Sequence, residues 1–559
     1  MGQRFSLITE LRRREVFRSA GIYIVAAWVF VQVASLVFPA IDVPDVALRY
    51  VWQAAILLFP VALVLAWRYD ITPTGIVRTR PAEPDTDFDP ALRNTDYAIL
   101  ASLVLVAGAI AWDLTESISD SESGVVGPVP QDQAHPNSIA VLPLENLSSD
   151  PEQQYFVSGM QDALIAGLSK VAAFKVTSKT STLRYASARE SLPRIAAQLG
   201  VAKLIEGSVF RVDDRVRINI QLLDAVADQQ LWSESFEEDV GDVMKLQNTV
   251  AHAIADQVEV ELTPSEEQEL RSSRPVNPAA FEAFLQGQYY VEQFTPEAMQ
   301  KAGDYYLQAV QIDPEHALSY WGLSKLCSFQ AQAGLITPDE AMARCYPPIE
   351  RALALNPNLP EAHLGYATHL TWQRFDFVNA EPAFERAVTL NPSYAEGHMF
   401  YGHYLTLMGR AEEGSEHMQI ALRLDPFNPF VRGIYGAQLM MIGNYEKSIE
   451  VISTVMKNNP EYAFGHNVIW QAYHELGDYD NAMAMVANYF RVTRDDAEGA
   501  NAIEAAYADT DYSAANRRAA EVLVERSKSM HVTPISIASF YEFAGDADKA
   551  IDWFEVAVE

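Results

Sequence analysis

The chain has 559 residues, with 41 basic and 74 acidic side chains and a formal net charge of −33 at pH 7. This length suits three or four domains. So acidic a chain lacks the basic face that phosphates require, which excludes nucleic acid as the expected partner. Its two cysteines are too few for a disulfide framework.

Three uncharged stretches near the start predict a membrane anchor over residues 1–112. They cover residues 19–41, 50–67 and 97–112, and about 20 apolar residues suffice to span a bilayer as a helix. A signal peptide would account only for the first stretch. The third has only 16 residues, and a buried helix of a soluble domain would also explain it. We expect membrane helices over about 19–41, 50–67 and 96–113, in contact with the lipid bilayer.

Arginines in the short connecting segments predict the orientation of this anchor. Five precede the first stretch and four lie between the second and third, whereas Arg49 alone separates the first two. Because basic loops stay in the cytoplasm, the N-terminus is expected there, and three crossings place the rest of the chain outside. In a bacterium with two membranes, the protein would lie in the inner membrane with periplasmic soluble domains. If the third stretch does not span, those domains stay inside.

Residues 5–18 and 66–75 contain the sequences FSLITELRRREVFR and AWRYDITPTG. Both segments resemble the membrane leader of bacterial proteins that carry tetratricopeptide (TPR) arrays. Residues 113–137 are rich in Ser, Asp, Glu, Gly and Pro, with few large apolar side chains, which predicts a flexible linker.

Residues 138–262 alternate short apolar runs with helical periodicity, which predicts a mixed α/β domain. We expect strands over 139–144, 174–177 and 230–236, and a hairpin of 203–212 with 215–223. Helices are expected over 153–171, 191–199 and 240–262, the last leading into the next domain.

This region resembles the TolB amino-terminal-like (FlgO-like) domain of bacterial multidomain proteins. The resemblance rests on IAVLPL at 139–144, NLS at 146–148, DPE at 150–152, LIEGSV at 204–209 and LWSE at 231–234, among others. Family members often have Asp-Gly where this chain has Ser158 and Gly159. In related proteins the module is fused to a winged-helix DNA-binding domain or a nucleotide cyclase domain, with TPRs behind it. Neither effector is visible in this sequence.

Prolines recur at a nearly constant interval in the second half of the chain. Pro357, Pro392, Pro426 and Pro460 are separated by 35, 34 and 34 residues. A fixed period of this length predicts stacked helix pairs. Before each proline the same types of residue recur, and the pattern resembles TPR repeats, carried in one repeat by Gly402, Gly409, Gly414, Met418, Ala421 and Pro426.

The predicted array covers residues 278–559 with seven or eight repeats, including a degenerate one over 494–527 and an insertion near 333–338. The last helix would end at Glu559 without a polar cap, so we expect a partner or further residues to cover its face. Cys327 and Cys345 fall on two antiparallel helices of the second repeat. They form a disulfide if the compartment is oxidising, or are two buried apolar side chains if it is not.

TPR arrays bind peptides or proteins in a concave groove lined by the first helix of each pair. Positions 5, 9, 12 and 13 of these helices give the candidate groove residues, each of which could instead serve packing: His369, Trp372, Gln373, Met399, His403, Thr406, Met440, Asn467, Gln471 and His474. The sequence contains no P-loop, GxGxxG, GxSxG or HExxH motif. We therefore expect no catalytic residue, no metal and no cofactor.

The sequence thus predicts three transmembrane helices, an α/β domain and an all-α TPR solenoid. We expect a non-catalytic scaffold that recruits a protein or peptide at the cell envelope, either as a homo-oligomer or in a larger complex. The alternative is a signalling subunit that senses a periplasmic ligand and regulates a cytoplasmic nucleotide cyclase or kinase through the three spans.

Overall fold

A computed structural model describes the fold. It covers residues 135–148, 150, 153–186, 190–213, 215–225, 227–271, 276–293, 295–332, 336–494, 496–529 and 532–558, together with Tyr23, Tyr69–Thr72 and Gly75–Arg78. Two compact units divide the chain, residues 1–123 and 124–559. Within the first, strands β1 (Tyr69–Thr72) and β2 (Gly75–Arg78) pair antiparallel.

The three predicted membrane stretches lie outside the described residues, except for Tyr23, which is helical. The linker predicted over 113–137 also lies outside them up to residue 134. Among the helices that are described, none combines the length and the apolar character needed to cross a bilayer.

A mixed six-stranded sheet forms the centre of the α/β domain. Its strands are β3 (Ser138–Val141), β4 (Glu145–Asn146), β5 (Lys175–Val176), β6 (Lys203–Val212), β7 (Arg215–Asp224) and β8 (Gln229–Asp239). The order is β5-β3-β6-β7-β8, with β4 also paired to β6. Strands β3, β4 and β5 run parallel to their neighbours, whereas β6, β7 and β8 form an antiparallel meander. The predicted hairpin of the sixth and seventh strands is therefore confirmed.

Helices cover both faces of this sheet: α1 (Gln154–Leu168), α2 (Lys179–Thr182), α3 (Leu192–Leu199) and α4 (Val243–Gln257). Helix α5 (Pro264–Arg271) packs against α4. Alternation along β7 explains one face, because Val216, Ile218 and Ile220 are fully buried and pack with apolar residues of α1 and α4. The prediction of one helix over 240–262 was wrong in extent. After Gln257 the chain turns at Glu259, whose φ is 56°, and begins a separate helix at Pro264.

Eight helix pairs follow in the described part of the chain. They are α6 (Pro278–Val291) and α7 (Pro296–Ile312), α8 (Ala317–Gln332) and α9 (Pro338–Leu355), α10 (Pro360–Trp372) and α11 (Phe377–Leu390), α12 (Ala395–Leu407) and α13 (Ala411–Leu424), α14 (Pro429–Met441) and α15 (Tyr445–Asn458), α16 (Ala463–Glu475) and α17 (Tyr479–Arg494), α18 (Ala497–Asp509) and α19 (Tyr512–Ser527), and α20 (Pro534–Phe543) and α21 (Ala547–Val558).

Glycine allows the tight turns and the close helix contacts of these pairs. Gly409, Gly443 and Gly477 adopt φ values of 80°, 78° and 74° between the two helices of their repeats. Within the fourth repeat, a Cβ on Gly402 would lie 2.6 Å from the carbonyl oxygen of Gly414. Only glycine permits the two backbones to approach this closely. The chain therefore folds into a mixed α/β domain followed by an all-α, TPR-like repeat region.

Candidate protein-binding surfaces

The edge strand β5 is covered by loops of the repeat array. The Val176 N–H donates to Ser393 Oγ at 3.1 Å, and that hydroxyl donates to the Phe174 carbonyl at 3.2 Å. Two residues on, the Ser178 N–H donates to the Leu424 carbonyl at 2.8 Å. These contacts bind the α/β domain to the array. They also pair backbone groups of the edge strand that would otherwise be exposed without partners.

A buried carboxylate lies at the same contact. Asp425 is 3% exposed, and its Oδ1 accepts a hydrogen bond of 2.5 Å from Ser181 Oγ. The same hydroxyl accepts from the Phe427 N–H at 2.9 Å, while Asn428 Nδ2 donates to Asp425 Oδ2 at 2.8 Å. Burial raises the pKa of Asp425 to about 6 despite these hydrogen bonds. The Arg184 guanidinium lies 4.1 Å from the centre of the Phe427 ring.

Helix α1 packs against the first helix of the array. A Cβ on Gly159 would come within 2.5 Å of the Leu285 side chain, so a larger residue at this crossing would displace that leucine. At one end of the crossing, Glu282 accepts hydrogen bonds from Tyr155 Oη at 2.5 Å and Arg211 Nη1 at 3.0 Å. The apolar core runs without interruption from the sheet into the first three repeats.

A buried lysine forms the other polar part of this junction. Lys179 is 9% exposed, and its Nζ donates to Asp162 at 2.9 Å and Glu292 at 2.8 Å. Burial opposes its charge, but the two carboxylates outweigh that effect and raise the pKa of Lys179. The α/β domain therefore contacts the array where α6, α12 and α14 begin, and again where α6 ends.

Three of the predicted groove residues lie in the core of the array. Met399 is fully buried, His369 is 5% exposed and Thr406 is 8% exposed. The His369 ring stacks on Tyr346 with centroids 4.5 Å apart. Thr406 Oγ1 accepts from Gln438 Nε2 at 2.7 Å and donates to the Gly402 carbonyl. These three side chains contribute to the packing of the helices and expose little surface to a ligand.

The remaining candidates are half-buried. Trp372 stacks on His403 with centroids 5.9 Å apart, and burial lowers the pKa of His403, which is therefore neutral at pH 7. Met440 packs against the apolar cluster that includes Ile452 and Val468. Gln471 Nε2 donates to the Asn467 carbonyl. His474 lies 2.9 Å from Tyr512 Oη within an aromatic cluster. Gln373 follows α10, and its N–H donates to the His369 carbonyl. The structure thus distributes the candidates over four repeats, and the contact between Trp372 and His403 joins the third repeat to the fourth.

Sequence reasoning missed a group of exposed apolar side chains at the turns inside repeats three to six. We name it the turn row: Phe375, Leu407, Met408, Met441, Ile442 and Leu476, which are 70%, 40%, 37%, 41%, 43% and 41% exposed. Five of them end the first helix of a pair or follow it directly, and Phe375 lies three residues after the end of α10. The sequence contained a signal for this group. Two apolar residues directly precede the turn glycine in LMG at 407–409 and in MIG at 441–443, although the turn itself requires only the glycine.

Cys327 and Cys345 are joined by a disulfide between α8 and α9, with Cα atoms 5.3 Å apart. Both residues are buried, at 6% and 1% exposure, so the bond lies inside the second repeat. Among the described residues, no group of histidine, cysteine and carboxylate side chains is arranged to hold a metal ion.

Comparison with known proteins finds two relationships in sequence. Residues 134–253 match the family of the HilA/YgeH-like transcriptional regulator, second domain. "Putative adenylate cyclase 3" of Rhizobium meliloti is 31% identical over 265 residues, which cover 47% of this chain and 45% of that relative. The chain therefore matches less than half the length of this curated relative.

Solved structures of repeat proteins are similar in fold. PilW, a type IV pilus biogenesis factor, is 15% identical, with a TM-score of 0.31 over 38% of this chain and 94% of its own. A tetratricopeptide repeat protein from Parabacteroides merdae is 16% identical, with a TM-score of 0.33 over 48% of this chain and 99% of its own. Similarity at this level concerns the fold alone.

Proposed function

We propose that this protein is a membrane-anchored, non-catalytic scaffold whose TPR-like array binds another protein or peptide. One observation supports this most directly. The α/β domain holds the beginnings of several first helices, while the opposite ends of the first helices in repeats three to six expose apolar side chains. An array with one end of its first helices covered and the other end exposed is suited to presenting a surface, and its repeats resemble modules that bind proteins.

The anchor and its location are part of the same proposal. The three uncharged stretches and the arginines that flank them support an inner-membrane anchor with the repeats in the periplasm. The buried disulfide is in keeping with an oxidising compartment. Reporter fusions at Gly124 and at the end of the chain test the placement, since both should behave as non-cytoplasmic. A cytoplasmic signal at both sites would contradict it.

We also propose that the α/β domain is a TolB amino-terminal-like module. The motifs at 139–144 and 204–209 support this, since they form the paired parallel strands at the centre of the sheet. The match to the second domain of HilA/YgeH-like transcriptional regulators covers residues 134–253, which is nearly the same region.

A second candidate function is a regulatory subunit of a signalling enzyme. The similarity to a putative adenylate cyclase over 265 residues favours it, because a segment shared with a cyclase could serve to receive or relay a signal. In that case the cytoplasmic arginine-rich segments would contact the effector, and the array would bind the stimulus.

Crosslinking of the tagged full chain in native membranes, followed by mass spectrometry of the bound chains, tests both candidates. An untagged strain is the control. An envelope protein as the main specific adduct would support the scaffold, and a cyclase or kinase would support the regulatory subunit. The absence of any adduct above the control would contradict both.

A further inference from the structure

The turn row places exposed apolar side chains at four successive turns of the array. Six of the twenty exposed large apolar side chains among the described residues lie in these four turns. A Cβ on Gly409, Gly443 or Gly477 would meet no atom within 4 Å, so these turns project into open space. Polar side chains beside the glycines would make the same turns. Exposed apolar side chains that recur at successive turns are typical of a site of interaction.

The spacing of the turn row suits a helix lying across the repeats. The first helices α10, α12, α14 and α16 are successive neighbours, and packed helices lie about 8–10 Å apart. An α-helix advances about 10.5 Å in seven residues at 1.5 Å per residue. A helix with one apolar side chain at every seventh position would therefore place one such side chain on each turn.

The charges around the turn row indicate the net charge of a helix that would bind there. Across 374–380, 407–414, 441–448 and 475–482 there are seven acidic and three basic residues. Arg410 is already paired with Glu381 and Glu413, and Lys447 with Glu450. The basic charges beside the row are therefore largely neutralised within the array, while carboxylates such as Glu412 and Asp478 flank the apolar side chains. This surface attracts a basic partner.

We propose that the turn row binds a basic amphipathic helix of another protein, with apolar residues at seven-residue spacing. This inference rests on the proposed scaffold function and names the class of its partner. Acidic flanks disfavour an anionic lipid surface, which attracts basic segments. They also disfavour a second copy of the chain, because two turn rows would bring like charges together.

The test uses the full chain in nanodiscs of zwitterionic lipid and a fluorescent peptide of about 22 residues, long enough to cross four repeats. The peptide carries Leu at every seventh position, with Lys and Ala between them, and a second peptide has Glu in place of Lys. Anisotropy should show binding of the Lys peptide alone, weakened by salt. The variant Met408→Ser with Ile442→Ser should bind the Lys peptide at least about tenfold more weakly, because two apolar contacts are lost.

A matched control changes two side chains of similar exposure on another face. Leu307→Ser with Ile312→Ser alters residues on α7 that are 48% and 37% exposed, and should leave binding unchanged. Equal binding to the turn-row variant, or equal binding of the Glu peptide, would overturn the proposal. So would competition by added lipid vesicles, or a dimer that the Met408→Ser, Ile442→Ser variant abolishes.

Crosslinking of the same variants in native membranes separates this inference from the broader one. If the turn-row variant captures the same partner as the unaltered chain, the scaffold stands and the turn row is not its docking site. If neither captures a partner, the scaffold function itself fails. Loss of the partner only in the turn-row variant supports both.

Discussion

The contact between the α/β domain and the array should strengthen as the pH falls, because it buries Asp425. The Asp425 carboxyl is 3% exposed and accepts hydrogen bonds from Ser181 and Asn428. When the contact opens, this carboxyl returns to water and its pKa falls from about 6 towards its ordinary value of 3.8. Glu396, on the array, also helps to raise the pKa of Asp425 in the closed state.

The sign and size follow from proton linkage. Asp425 has the higher pKa when the contact is formed (the closed state), so the closed state binds the proton more tightly than the open state. Its stabilisation by protonation is complete below the open-state pKa of 3.8 and is lost as the pH rises through about 6. A difference of about two pKa units corresponds to about 3 kcal/mol over the full range. Between pH 5 and pH 7.5 the expected change is about 1.4 kcal/mol, or about tenfold in the opening equilibrium.

Hydrogen exchange of the full chain provides the assay. The Val176 and Ser178 amides are bonded to the array, so their protection reports opening of this contact. After correction for the intrinsic exchange rate, their protection should fall about tenfold from pH 5 to pH 7.5. The variant Asp425→Asn cannot titrate and should lose this dependence.

Asp313→Asn is the matched control, since Asp313 precedes Pro314 in the first repeat as Asp425 precedes Pro426 in the fourth. It should behave like the unaltered chain. The same pH dependence in Asp425→Asn as in the unaltered chain would refute the linkage, because the titrating group would then lie elsewhere.

Three further predictions concern single residues. Ser393→Ala removes the hydroxyl that pairs with Val176 and Phe174; leaving the buried amide unpaired should weaken the contact by about 1–3 kcal/mol, and unchanged exchange of the Val176 amide would contradict this. Phe375 adopts a φ of 52° at the position where other repeats have glycine. Phe375→Gly should therefore stabilise the fold by up to about 1 kcal/mol and raise the melting temperature, whereas Gly443→Ala should lower it. A lower melting temperature for Phe375→Gly and a higher one for Gly443→Ala would show that the backbone at these turns is not strained. Maleimide labelling of denatured protein should find no free thiol at Cys327 or Cys345 until a reductant is added, and labelling without reductant would show that the bond does not form.

Local patterns predicted most elements of the α/β domain and the repeats. Alternation between Val216 and Leu222 fixed the face of β7, and the glycine and proline spacing gave the helix pairs, including the degenerate one formed by α18 and α19. These features depend on neighbours within a few residues or on one repeated period. The end of α4 was missed because a single residue, Glu259, turns the chain where apolar periodicity continues.

Contacts between distant parts of the chain could not be predicted in this way. Ser181 meets Asp425 across 244 residues, and Val176 meets Ser393 across 217. Periodicity indicates which side of a helix is buried but not which domain covers its end. For the same reason the groove register named His369 and Met399, which the array buries, and omitted Met408 and Ile442, which it exposes.

Site-specific photocrosslinking tests the central claim most directly, namely that this array is a platform for another protein and that the turn row is its contact. A photoreactive phenylalanine at position 408 of the full chain, irradiated in native membranes, should give one adduct of defined mass with a second protein. The same residue at position 307, an exposed apolar site on the first repeat, should give none. Identical products from both positions, or no protein adduct from position 408, would contradict the account.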